Sequence, residues 1–148
     1  MEIKEVKTKT VFYKSLKSTL QTLTSDVGNL PNDLRDELTK LGLEPAGPQE
    51  WVYIGADGNP NTEFILDICF PVEKAIEGNS MFKTLEAKKC AVEMHNGPWA
   101  NLGATYEKIM GGVMSKGEQM SSTCREVYHV CDFENEANNV TEVMVELV

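Results

Sequence analysis

Polar and apolar residues alternate along Thr8–Lys17, with Val11 and Tyr13 on one side and Phe12, Lys14 and Leu16 on the other. That is the two-residue period of a strand. The period then lengthens: Leu16, Leu20, Leu23, Val27, Leu30, Leu34, Leu38 and Leu41 recur at three- and four-residue steps, the apolar stripe of a helix. Ser18 or Thr19 is the expected N-cap and Gly42 the expected stop. Pro31, preceded by Gly28-Asn29, should break the stripe. After Gly47-Pro48 the pattern predicts a hairpin. Its first strand runs over about Glu50–Ile54, its turn is Asp57-Gly58-Asn59-Pro60, and its second strand runs over about Glu63–Val72. Glu77-Gly78-Asn79-Ser80 reads as a linker.

The order then repeats. A strand is predicted over about Phe82–His95. A helix opens at Asn96-Gly97-Pro98-Trp99, with Pro98 at its first position, and carries Trp99, Leu102, Tyr106, Ile109 and Val113 on one face. Gly111-Gly112 should weaken it late. Ser121-Ser122-Thr123 reads as a loop before a final hairpin of about Arg125–Cys131 and Thr141–Leu147, joined by an exposed acidic turn, Asp132 to Asn139. Placing Leu102 on Leu23 puts Tyr106 on Val27, Ile109 on Leu30 and Val113 on Leu34. Placing Tyr128 on Tyr53 puts Glu126 on Trp51. The expected fold is α+β: duplicated βαββ units, about 1–77 and 78–148 of a single domain, forming a pseudo-symmetric antiparallel sheet with two main helices. A seam between such halves is a central groove that can hold a small ligand.

Bulk properties narrow the partners. A chain of 148 residues is the size of one domain and buries roughly 70% of its unfolded surface, enough to need no disulfide or metal. The net charge of −9 argues against a direct nucleic-acid partner, which needs a basic stripe. It also weakly favours a cationic ligand, although acidity serves solubility too. Three of the four cysteines fall in predicted strands, as small hydrophobes do. No C-x-x-C pair occurs, and His95 and His129 complete no zinc pattern, so neither metal nor cofactor is expected. The charged N-terminal residues carry no apolar signal region, and no apolar run reaches membrane-spanning length. The expectation is a cytoplasmic protein with reduced thiols and no membrane contact.

At this point the residues resemble a known family. His95-Asn96-Gly97-Pro98-Trp99, then Leu102 and Tyr106, then Glu126-Val127-Tyr128 and Thr141-Glu142, is similar in order and spacing to the GyrI-like small-molecule-binding family, also called the bacterial transcription activator effector-binding domain. The likeness covers nearly the whole chain. It implies a duplicated βαββ fold whose groove holds hydrophobic, often cationic or planar molecules between aromatic side chains. It also implies that the acid of the Glu-x-Tyr strand, here Glu126, sits at the groove's base. Regulators of the family carry a DNA-binding module ahead of this domain. None is visible here, so a stand-alone member is expected, with an unidentified protein partner left open. Some stand-alone members are linked to gyrase inhibition, and others hydrolyse cyclopropane-containing cytotoxins.

The residues themselves allow these roles. Glu126 and Tyr128, two apart on a strand, share a face. If that face lines the groove, Glu126 is a desolvated carboxylate that calls for a cation or hydrogen bonds; if not, it is a solvated edge residue. Trp51, Tyr53, Trp99, Tyr106 and Tyr13 are candidate aromatic walls, with ordinary core packing as the alternative for each. Met110 and Met114 fit gap filling or a tolerant pocket. His95 has no visible nucleophile or carboxylate partner, so a strand-end residue bonded to backbone is expected. Were the protein an enzyme, Glu126 would be its general base.

Overall fold

The computed structural model describes residues 1–148. Along the chain run β1 (Glu2–Val6), β2 (Lys9–Ser18), α1 (Leu23–Val27), α2 (Leu30–Lys40), β3 (Glu50–Ile54), β4 (Phe64–Pro71), β5 (Phe82–Leu85), β6 (Lys88–Asn96), α3 (Leu102–Ser115), β7 (Met120–Val130) and β8 (Val140–Leu147). A 3-10 turn, Trp99–Asn101, leads into α3, and another, Glu136–Asn138, lies between β7 and β8. The strands form one sheet in the order β1-β6-β8-β7-β3-β4-β2-β5, and every pairing is antiparallel. Outward from the centre the order is symmetric: β3, β4, β2 on one side and β7, β8, β6 on the other. Two abutting βαββ units would give this order. No helix is long and apolar enough to cross a membrane, and the four cysteines are unpaired.

The two faces of the sheet differ. On the front, α1 and α2 bury Val27, Leu34 and Leu38 against Phe12, Tyr53, Phe64, Leu66, Ile68 and Phe70. On the same face α3 buries Ile109 and Val113 against Ala91, Val143, Val145 and Leu147. Cys124, on the central strand β7, touches both clusters. The back face has no helix, yet Val11, Val52, Cys69, Cys90, Val92, Val127 and Met144 are buried there. Topology explains why. Only Lys7 and Thr8 join β1 to β2, six strand positions away. Six spacings in a flat sheet would span about 29 Å, whereas the three steps from Val6 to Lys9 reach at most about 11 Å. The sheet must therefore coil strongly, in the direction of its ordinary twist, and close over its own back.

Several local expectations are corrected. The stripe does break where Gly28 takes φ +49° and Pro31 sits in the first turn of α2. The helix starts after Thr22, however, and not at Ser18 or Thr19. The Thr19 hydroxyl instead accepts from the Thr22 amide, and Ser18 and Thr22 donate to Asp26, so the capping residues build a turn ahead of the helix. At the other end Gly42, at φ +79°, ends α2 with its amide on the Thr39 carbonyl and that of Leu43 on the Leu38 carbonyl. Pro98 is extended and precedes the 3-10 turn, so it is not the first helical residue. Phe82–His95 is not one strand. It breaks at Glu86-Ala87, and its halves pair on opposite sides of the sheet, β5 with β2 and β6 with β1 and β8. Ser121-Ser122-Thr123 lies inside β7. Strand β1, unanticipated, carries Glu2, Lys4 and Glu5 on an edge, where charge discourages further pairing.

Candidate functional site

The site grows from the junction of β3 and β7. Trp51 pairs with Glu126, while Glu50 pairs with Val127 and Val52 with Arg125. In the repeat alignment Trp51 is equivalent to Glu126, Glu50 to Arg125 and Val52 to Val127. The register is thus centred on the Trp51–Glu126 pair, as a two-fold axis through it would produce. Strand alternation sends Trp51, Tyr53, Cys124, Glu126 and Tyr128 to the front face. Tyr106 approaches the same point from α3, which Ile109 and Val113 anchor on β6 and β8, and its hydroxyl reaches across to β7.

These residues converge on one carboxylate. Glu126 Oε1 accepts from the Tyr128 hydroxyl at 2.6 Å and from that of Tyr53 at 3.3 Å. Oε2 accepts from the Tyr106 hydroxyl at 2.5 Å. Glu126 is 5% exposed, and no lysine, arginine or histidine forms an ion pair with it. Burial pushes the Glu126 carboxyl above the usual carboxylate range, and the three hydroxyls, with a smaller contribution from His95, pull it only part of the way back. Burial, and then the neighbouring carboxylate, raise the hydroxyls of Tyr53, Tyr106 and Tyr128 well above the ordinary tyrosine range. They therefore stay protonated and donate. Burial likewise pushes the Cys124 thiol up to about 12, so it is no nucleophile.

Aromatic rings close the approach to Glu126. Trp51 meets Tyr128 edge-on, with centroids 5.4 Å apart, and Trp99 meets Tyr128 edge-on at 6.1 Å. Each indole has a polar tether: Trp51 Nε1 donates to Gln49 Oε1 and Trp99 Nε1 to Thr141 Oγ1. His95, buried at the end of β6, holds the turn that carries Trp99. Its Nε2 lies 2.9 Å from the Pro98 carbonyl and its Nδ1 2.7 Å from Thr105 Oγ1. A carbonyl only accepts, so Nε2 carries a proton and donates.

Of the residues expected at the groove, Glu126, Tyr128, Trp51, Tyr53, Trp99 and Tyr106 are brought together. Tyr13 is not. It pairs with Cys69, whose side chain is on the back face, and it packs near Val11, Val52 and Cys69. Its ring lies under Lys83 Nζ at 4.2 Å. Alternation along β2 shows that Tyr13 and Phe12 oppose each other, but only the register with β4 and β3 says which of them faces Trp51. Met110 and Met114 are exposed on α3. Sequence reasoning missed Gln49 and Thr105, and it quoted Thr141 in a motif without assigning it a role; all three are polar residues whose role depends on contacts the sequence does not show. It also missed Phe133, whose ring lies 5.5 Å from that of Trp99. A lone phenylalanine in an acidic turn was the available signal.

Comparison with known proteins agrees with this architecture. The family model described as "GyrI-like small molecule binding domain" matches residues 1–148. The chain superposes on the C-terminal domain of EcmrR with a TM-score of 0.81 at 18% identity, covering 99% of this chain and 96% of that one. SAV2435 bound to tetraphenylphosphonium gives a TM-score of 0.67 at 11% identity, covering 99% and 93%. A hydrolase encoded by lin2189 from Listeria innocua gives 0.60 at 11% identity, covering 99% and 92%. No curated protein sequence matches the chain.

Proposed function

We propose, from the premise that this chain belongs to the GyrI-like small-molecule-binding family, that it holds a hydrophobic cation over the β3–β7 junction. Glu126 is the acidic anchor, and Trp51, Tyr53, Trp99, Tyr106 and Tyr128 are the walls. One observation carries the reading: a buried carboxylate whose hydrogen-bond partners are three neutral phenols and which lacks a cationic partner. A charge so placed is costly unless something compensates it. An entering cation supplies the counter-charge, and the ring faces exposed as Trp51, Trp99 and Tyr128 part add cation–π attraction of roughly 0.5–2 kcal/mol. The neighbour SAV2435 with tetraphenylphosphonium makes that ion a natural first probe. Glu126→Gln should weaken tetraphenylphosphonium binding by about 30-fold or more, the low end of the cost of removing one partner of a desolvated charge pair. Binding of neutral triphenylphosphine oxide should change several-fold less. Equal losses for the two would remove the electrostatic anchor.

A second reading makes Glu126 the general base of a hydrolase acting on electrophilic, cyclopropane-type toxins. The upward shift of its carboxyl favours this, because a base works best when its pKa approaches the working pH. The Listeria innocua hydrolase shares the fold. Consumption of an electrophilic substrate by the wild type but not by Glu126→Gln would move the reading from binding to catalysis.

A further inference from the structure

We infer that the turn between β7 and β8 belongs to the ligand site and that Phe133 is its outermost aromatic wall, packing directly on large planar or multi-ring cations. This rests on the binding reading above and extends it to a segment outside the converging residues.

Phe133 is 82% exposed, more than any other large hydrophobic residue of the chain. A single exposed apolar side chain is ordinary, but this one continues a line of rings. Phe133 meets Trp99 at 5.5 Å and 60°, Trp99 meets Tyr128 at 6.1 Å and 86°, and Tyr128 meets Trp51 at 5.4 Å and 81°. The line runs from solvent to the carboxylate that Tyr128 touches. Edge-on and tilted contacts leave ring faces free to receive a flat ligand.

The turn is also held in shape. The Asp132 carboxylate accepts from the backbone amides of Glu134 and Asn135 and from Asn138 Nδ2, at 3.0, 2.8 and 3.1 Å. Asn139 Oδ1 accepts from the Asp132 amide at 2.6 Å. The Asn139 carbonyl accepts from Gly97 at 2.9 Å, which ties the turn to the segment bearing Trp99. The exposed phenyl is therefore presented on a braced loop, and a preorganised surface loses little freedom when a ligand packs on it. Asp132, Glu134 and Glu136 lie within three residues of Phe133 in the chain and give the turn negative charge, matching the sign of Glu126, so the turn and the anchor favour the same ligand class. A ligand small enough to sit on Glu126 alone would not reach Phe133; a multi-ring cation would span both.

Tetraphenylphosphonium titrated into wild type, Phe133→Ala and Glu126→Gln tests this, alongside wild-type-like protein carrying 4-fluorophenylalanine at position 133 and read by fluorine NMR. The expected result is a loss of about tenfold or more in Phe133→Ala and a fluorine shift that saturates with the ligand. That shift should weaken in parallel when Glu126→Gln is added. Unchanged affinity in Phe133→Ala, or a static fluorine signal while ligand binds, would overturn the inference and leave the anchor intact. Loss of affinity in Phe133→Ala with none in Glu126→Gln would keep the aromatic wall and reject the anchor. A wild type that does not bind the ion would reject both.

Discussion

Two glutamates are buried back to back at the middle of the sheet. Glu50 and Glu126 lie one register step apart on paired strands and point to opposite faces. Glu50 is 0% exposed and surrounded by cations of its own chain, with Arg125 Nε at 2.6 Å and Lys9 Nζ at 2.7 Å. Glu126, nearly as buried, has only tyrosine hydroxyls as hydrogen-bond partners, with His95 acting on it from beyond ion-pair distance. The back-face acid is neutralised from within and helps close a coiled sheet. The front-face acid is left with a charge the fold does not balance. Equal burial thus has two settings: one carboxylate is paired within its own chain, and the other is the acid we propose as the ligand's anchor. A carboxylate whose burial is met by neutral donors alone is a better marker of a site than burial itself.

The largest expected effect breaks the back-face pair. Arg125 is 1% exposed, so Arg125→Met leaves Glu50 with Lys9 alone and should destabilise the protein by about 3 kcal/mol. For a domain of this size that lowers Tm by roughly 10 °C. Denaturant unfolding measures it. Exchanging both partners together, Glu50→Leu with Arg125→Met, should recover much of the loss, because an ion pair and an apolar pair of similar volume are often equivalent. A mild effect of Arg125→Met alone would erase the contrast between the faces.

A smaller effect of opposite sign is expected on the front. Folding raises the Glu126 carboxyl above its unfolded range, so between the two values the native state binds more protons than the unfolded chain. Wild-type stability therefore falls as pH rises through that window and stays at the lower level above it. Glu126→Gln lacks this dependence. Without ligand it should match or exceed wild-type stability at pH 8, by up to about 1 kcal/mol. The difference should shrink toward the ordinary carboxylate range, near pH 4. Thermal unfolding across that range measures it. A variant less stable at pH 8 than at pH 4, relative to wild type, would mean that Glu126 is a structural acid like Glu50.

Much of the fold was legible because each strand–helix–strand–strand segment carries its own periodicity. The hairpin at Glu50–Ile54, the break at Gly28 and the stop at Gly42 follow from local chemistry. What was not legible depends on pairing partners. β1 is short and charged because it is an edge. The break at Glu86-Ala87 has no glycine or proline to announce it. Ser121–Thr123 is polar but held in the sheet by its neighbours. At the site, Glu126 and Tyr128 could be placed on one face from their spacing. The convergence of Tyr53, Tyr106 and Tyr128 on a single carboxylate required three separate elements to be brought together. Tyr13 was misassigned because the face of β2 is fixed by its register against β4. The Glu50–Arg125 pair was invisible for the same reason: residues 75 apart in sequence meet only through the β3–β7 register.

Proton exchange on cation binding tests the central claim most directly. If Glu126 is the unbalanced acid, its carboxyl is raised by burial in the empty site, and an arriving cation opposes that shift and favours the ionised form. Calorimetric titration of tetraphenylphosphonium in buffers of different ionisation heat should then show proton release by the wild type and none by Glu126→Gln. Affinity should increase as pH rises through the shifted carboxyl's range in the former and stay level in the latter. Binding with no proton released, or with the same pH dependence in both proteins, would contradict the account.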